Sequence, residues 1–218
     1  DIVLSGNNTI VCDFGASIKY TGVDYLFTIK GSNVKIIGVT ATFTNGGSFI
    51  SIANTTGSYI REFIFNNIIT VGATHFIDDS DSTSNYVSMY IDTVECKGQL
   101  GRCLSIAHSF AFLLIKDLTS DATGRNTNAN FTHFWFENSA GMQLSHVEAE
   151  GGLVNSYDAT NAGFYFKNCQ AVWIDKCLAD TCAGAGFYQD LGCQYFYISN
   201  SAASLCCGFG FLLNGSYN

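Results

Sequence analysis

The chain has 218 residues, 47% hydrophobic and 13% charged, with a net charge of −8. That length holds one domain or a piece of one, and no apolar run approaches the ~18 residues of a membrane span; residues 111–115 are among the longest. The ten basic residues are scattered singly, which excludes a nucleic-acid surface, because such a surface needs them clustered.

The predicted elements are short strands, and they recur. A first apolar beat runs Phe27, Ile50, Phe76, Leu104, Phe134, Phe164, Phe187 and Phe209. A second runs Val34, Phe63, Met89, Leu113, Met142, Val172 and Phe196. Five residues after each second beat comes a third: Val39, Ile68, Val94, Leu118, Val147 and Cys177, lapsing at Ser201. The second beats from Val34 to Val172 are 29, 26, 24, 29 and 30 residues apart. The pattern is plainest from Gly163 onward, in GFYFKNCQAVWIDKC, GFYQDLGCQYFYISN and GFGFLLNGS.

Around each beat the pattern is apolar, any, apolar, which is the period of a strand. Strands repeating at such intervals make a solenoid in which each turn buries its apolar face on its neighbours. Two short strands per turn of about 24 residues are too few for a propeller blade, which has four. The expected fold is all-β: a parallel β-helix of about seven coils of 22–30 residues.

Other features agree. There is no proline, although average usage would put roughly ten in this length. Every coil needs its N–H groups for the ladders above and below, and proline has none to give. The 22 glycines and the many asparagines provide the turns instead. Nine cysteines are an odd number, no C-x2-C pair exists for zinc, and six of the nine fall at or near repeat positions. They read as buried thiols stacked coil on coil, formed in a reducing compartment. Asp1 begins directly in strand-like sequence, and residues 209–213 open a coil that is not completed, so a segment of a longer chain is expected.

The segments NCQAVWIDKC and SNVKIIGVTAT resemble the coils of pectin-lyase-like right-handed parallel β-helix proteins. GNNTIVCDFGASIKY resembles the opening coil of that domain in bacteriophage tailspikes and capsule depolymerases. The resemblance is one of repeat style and carries no catalytic motif. It implies a right-handed helix, a bacterial surface polysaccharide as partner, and a place in the virion tail, with secretion or the cell surface as the alternative.

No GxSxG elbow, Walker loop, dinucleotide fingerprint or HExxH occurs, and no cofactor or metal is called for. His75, His108, His133 and His146 are dispersed and read as turn or surface residues. In a solenoid, sites are assembled from columns, because residues one coil apart in sequence stack about 4.8 Å apart in space. One outward column is expected to run Trp135, Tyr165, Tyr188, and another Tyr90, Leu114, Gln143, Trp173, Tyr197. Outward aromatic rings suit a sugar-binding platform; subunit contact, in an expected homotrimer, or simple ring stacking are the alternatives.

Two groups of acids are candidates for catalysis. Asp79 and Glu137 would lie two coils apart, roughly 9.6 Å, at the edge of the separation of inverting glycosidase carboxylates. Between Glu137 and Asp190 stands Lys167, a pattern that reads as an ion ladder. Asp121, Glu150 and Asp180 fall at one repeat position on three consecutive coils, where like charges raise one another's pKa. The alternative there is that Asp121 and Asp180 are turn residues. The two longest connections, residues 119–133 and 148–162, lead from this place and offer Arg125, Asn128, Tyr157 and Asp158 to a glycan. Hydrolysis by an Asp/Glu pair is the expected chemistry, a lyase reaction the near alternative, and a non-enzymatic adhesin or stalk the competing class.

Overall fold

The structure is a computed structural model that describes residues 1–13, 15–53, 62–79, 88–107, 112–122, 132–152 and 160–214. Among these residues there is no helix, and 21 strands form two sheets of nine and twelve strands. Every pairing is parallel, each strand lying on the one a coil away, as Phe134–Glu137 lies on Phe164–Lys167. The chain is therefore a parallel β-solenoid of about seven turns.

Each coil has three legs. The first leg belongs to the nine-stranded sheet, from Ile2–Leu4 through Phe164–Lys167 to Phe211–Leu213. The second and third legs are continuous in Phe63–Val71, Ser88–Lys97, Phe112–Asp121 and Ala140–Glu150. They separate into Gln170–Asp175 and Leu178–Asp180 farther on. The bend between them falls at Gly38, Asn67, Thr93, Asp117, His146, Lys176 and Asn200, all with φ between 47° and 75°. Only the first of these is glycine. A left-handed residue there costs a non-glycine side chain about 1 kcal/mol or more. What outweighs it is the apolar residue on each side of the bend, such as Ile174 and Cys177 around Lys176, both buried.

The second beat holds throughout: Val34, Phe63, Met89, Leu113, Met142, Val172 and Phe196 are successive partners. The first beat needs two corrections. Ile50 pairs with Ile77 and not Phe76, and Phe187 pairs with Phe211 and not Phe209. The rings of Phe164, Phe187 and Phe211 stack at 4.6 and 4.9 Å between centroids, within 5° of parallel.

Phe76 is nonetheless fully buried, because it sits at the corner where the third leg returns to the first. Successive coils fill that corner differently. Phe49 and Phe76 stack at 5.5 Å, and farther along Cys103 meets Cys96, Sγ to Sγ at 3.3 Å. One coil later His133 meets Ser120. Next come Gly163 and Gly186, where an added Cβ would lie 2.9 Å from that of Ala179 and 2.6 Å from that of Ala203 respectively. The glycines opening the first two GF repeats are thus there for want of room. All nine cysteines are free thiols; Cys96, Cys103, Cys169, Cys177, Cys182 and Cys193 are buried, and Cys207 is exposed.

Candidate functional site

The third leg brings its outward acids into line. Asp121 pairs with Glu150, and Glu150 with Asp180, on consecutive strands. Lys97 precedes Asp121 in the column and Ser204 follows Asp180. The backbones of neighbouring members stand about 5 Å apart by coil spacing, and those of the outer two about 9.6 Å. Lys97 is engaged by Glu95 on its own strand, Nζ to Oε1 at 3.0 Å. Glu150 is pushed above the ordinary carboxylate range, first by burial and then by Asp121, Glu148 and Asp180. Stacked like charge therefore contributes, as expected from the sequence, but desolvation leads it. Asp180 Oδ1 is buried with no hydrogen-bond partner among the described residues.

The second group of acids does not assemble as expected. Because the first beat falls on Ile77, Asp79 takes the inward place after it, in the column that holds Ile52, Ile106 and Phe136 on neighbouring coils. It is fully buried. Glu137 points outward, its Oε1 2.9 Å from Lys167 Nζ. The two are on opposite faces of the sheet and do not form a carboxylate pair. The ion ladder ends at Lys167, since Asp190 accepts a 2.6 Å hydrogen bond from the Tyr165 hydroxyl.

The outward acid on that coil is Asp78, which sequence reasoning missed by one residue. It accepts a 2.7 Å hydrogen bond from the Tyr25 hydroxyl. Arg102 feels the charge of both Asp78 and Glu137 and lies over the Trp135 ring, 4.0 Å from its centroid. Trp135 stacks on Tyr165 at 4.0 Å, and Tyr165 meets Tyr188 edge-on at 5.2 Å. This column has the expected register but is not an open platform, for Tyr165 is 3% and Tyr188 9% exposed. Its rings pack with Ala162, Ala185 and Leu212 as a small cluster of their own outside the sheet.

The second aromatic column is open. Trp173 and Tyr197 are 44% and 55% exposed, with ring planes 7° apart and centroids 5.8 Å apart. The two rings are stacked nearly parallel, and about half of each side chain remains open to solvent. A cavity of about 300 Å³ beside Trp173 is lined by Gln143, Leu144, Ser145 and Asp175. Asp175 accepts from Ser199 Oγ and Asn200 Nδ2, both at 2.8 Å, and these bonds lower its pKa. Tyr90 and Leu114 continue the same column, and the Tyr90 hydroxyl donates to Asp92 at 2.7 Å.

Ser120 and His133 resemble a nucleophile and base, with Oγ 2.9 Å from Nδ1. Both are buried, however, and the pair packs in the interior of the solenoid. His133, read from the sequence as a turn or surface residue, is a core side chain. Arg125, Asn128, Tyr157 and Asp158 lie outside the described residues. Among the described residues no group of three or more His, Cys, Asp or Glu is arranged to hold a metal. Compared with protein-family models, curated proteins and solved structures, the chain has no match.

Proposed function

We propose that the chain binds and hydrolyses a polysaccharide, with Glu150 as general acid and Asp121 or Asp180 as its partner carboxylate. The observation that carries this is the register Asp121, Glu150, Asp180 on consecutive coils, with the middle acid raised. Glycoside hydrolysis needs one protonated and one ionised carboxyl group flanking the bond. Neighbouring members at about 5 Å match the retaining geometry, while the outer two at about 9.6 Å reach the inverting one. The substrate class is a bacterial surface polysaccharide and the setting a trimeric, virion-borne tailspike, in keeping with the repeat style of NCQAVWIDKC.

The experiment is digestion of purified capsular or O-antigen polysaccharide by the chain and by Glu150→Gln. Release of oligomers by the first and not the second, with thermal stability unchanged, supports the reading. Equal digestion by both rejects Glu150. A second reading, retention without cleavage as in an adhesin, is favoured by the exposed Trp173–Tyr197 pair, which belongs to a different leg from the acids. It is the outcome if polysaccharide is retained and never shortened.

A further inference from the structure

Cys182 and Cys206 occupy one position on successive coils. The strands before them pair Ala179 with Ala203 and Asp180 with Ser204. Just beyond, the Cys207 amide donates to the Cys182 carbonyl at 3.0 Å. The two Cα atoms are thus about one coil spacing apart, within the roughly 4.4–6.8 Å that a disulfide spans. Both thiols are free. The Cys182 sulfur fills the space under Gly163, where an added Cβ would lie 2.9 Å from it, and the residue is 1% exposed. Cys206 is only half-buried.

The other close thiols differ in access. Cys96 and Cys103 approach to 3.3 Å but neither is exposed at all. Cys169 and Cys193, also one coil apart, are equally sealed. Only the 182–206 pair joins a half-exposed sulfur to a buried one.

We infer that Cys182 and Cys206 form a thiol–disulfide couple: Cys206 attacks a small-molecule disulfide, and Cys182 resolves the adduct into a staple between two coils. In the first step the Cys206 thiolate displaces one thiolate from the small disulfide, leaving a mixed disulfide. In the second, Cys182 loses its proton, attacks the Cys206 sulfur and expels the other thiolate. The protein gives up two electrons and two protons, and the small disulfide becomes two thiols. A hydrogen bond from the Cys182 thiol lowers the Cys206 pKa to about 7, so the exposed partner is the one with thiolate at neutral pH. The same contact and burial raise Cys182, which suits a slower resolving thiol. The staple closes a 24-residue loop, the length of one coil here. Closing it restricts the unfolded chain.

The test is incubation of the folded chain with oxidised glutathione, followed by acid quench, thiol counting and non-reducing peptide mapping. Two of the nine thiols are expected to disappear, with residues 182 and 206 in one linked peptide and Tm raised by ~5–10 °C. Cys182→Ser should stop at one glutathione on residue 206, and Cys207→Ser should react as the parent does. A stable adduct on Cys206 in the parent chain, a 206–207 link, or a link between two chains through Cys207 overturns the inference. Where a serine variant does not fold, alkylation of the parent chain decides instead: Cys206 must label before the other buried or half-buried thiols, half-maximally near pH 7.

Discussion

Ser120 and His133 form a hydrogen-bonded pair at 2.9 Å that solvent does not reach. The far ring nitrogen, Nε2, is 3.0 Å from the Gly151 carbonyl oxygen, which can only accept. Nε2 therefore carries the proton, and Nδ1 accepts from the Ser120 hydroxyl. Burial lowers the His133 pKa to about 4.

The sign of the resulting pH dependence follows directly. The folded value lies below the unfolded value of about 6.5, so the unfolded chain binds the proton more readily between them. His133 contributes stability that is fully present above about pH 6.5 and is lost as pH falls to about 4. The loss amounts to about 3 kcal/mol at most. Glu150 has the opposite sign, its folded value being raised, and as a half-exposed group it offsets little. Urea midpoints should fall between pH 7 and 4.5 in the parent chain and fall less in His133→Gln. Equal slopes would show that another group titrates.

Phe187 lies between Phe164 and Phe211 in the first-leg column, 1% exposed, with parallel rings on both sides. Phe187→Ala should cost about 3–5 kcal/mol, as removal of a buried ring does. Phe209, which is 51% exposed, is the internal control. Its replacement by Ala should cost far less. Denaturant unfolding of the two variants side by side checks the register, and the reverse order would restore Phe209 to the column.

The two register slips have physical causes that also explain what was legible. Alternation specifies which face a residue takes, but it cannot choose between positions two apart. In GFGF both Phe209 and Phe211 fit the beat, and only the ladder from Gln189 to Leu213 decides. At Phe76 and Ile77 two adjacent residues are both buried because the chain turns a corner between them, a case that strict period two does not contain. That one-residue slip moved Asp79 to the outside on paper and hid Asp78. The second beat was free of both problems, so the acid column counted from it came out in register. Exposure was not legible at all: Tyr165 and Trp173 look alike in a repeat alignment, yet one is 3% and the other 44% exposed.

Trp173 and Tyr197 offer two half-exposed, parallel rings, with Asp175 lining the same cavity as Trp173. A glycan lying along the solenoid axis would place successive sugar faces on them. Trp173→Ala should weaken retention about tenfold, near 1.4 kcal/mol, the order of an aromatic contact. Tm should stay within ~2 °C, because the ring is already half in water. Trp135→Ala should do the reverse, lowering Tm with little effect on retention, since that ring supports Arg102 and Tyr165. Affinity electrophoresis in polysaccharide gels reads both. Unchanged mobility of Trp173→Ala would remove this face from the binding surface.

The acid column makes the last prediction. A general acid must be protonated to act, so hydrolysis should fail on the alkaline side as Glu150 ionises. Burial sets most of its upward shift, and Asp121, Glu148 and Asp180 add to it. Replacing Asp121 or Asp180 would confuse this effect with loss of the partner carboxylate. Glu148 avoids that difficulty: it is two residues before Glu150 on the same strand, opposite Leu178 and Thr119, and outside the column. Glu148→Gln removes one repelling charge, so the Glu150 pKa should fall. The alkaline limb of kcat/KM should then move to lower pH while its plateau is kept. In Glu150→Gln the plateau itself should vanish. A limb that stays in place in Glu148→Gln, with activity intact, would show that the proton comes from a residue other than Glu150.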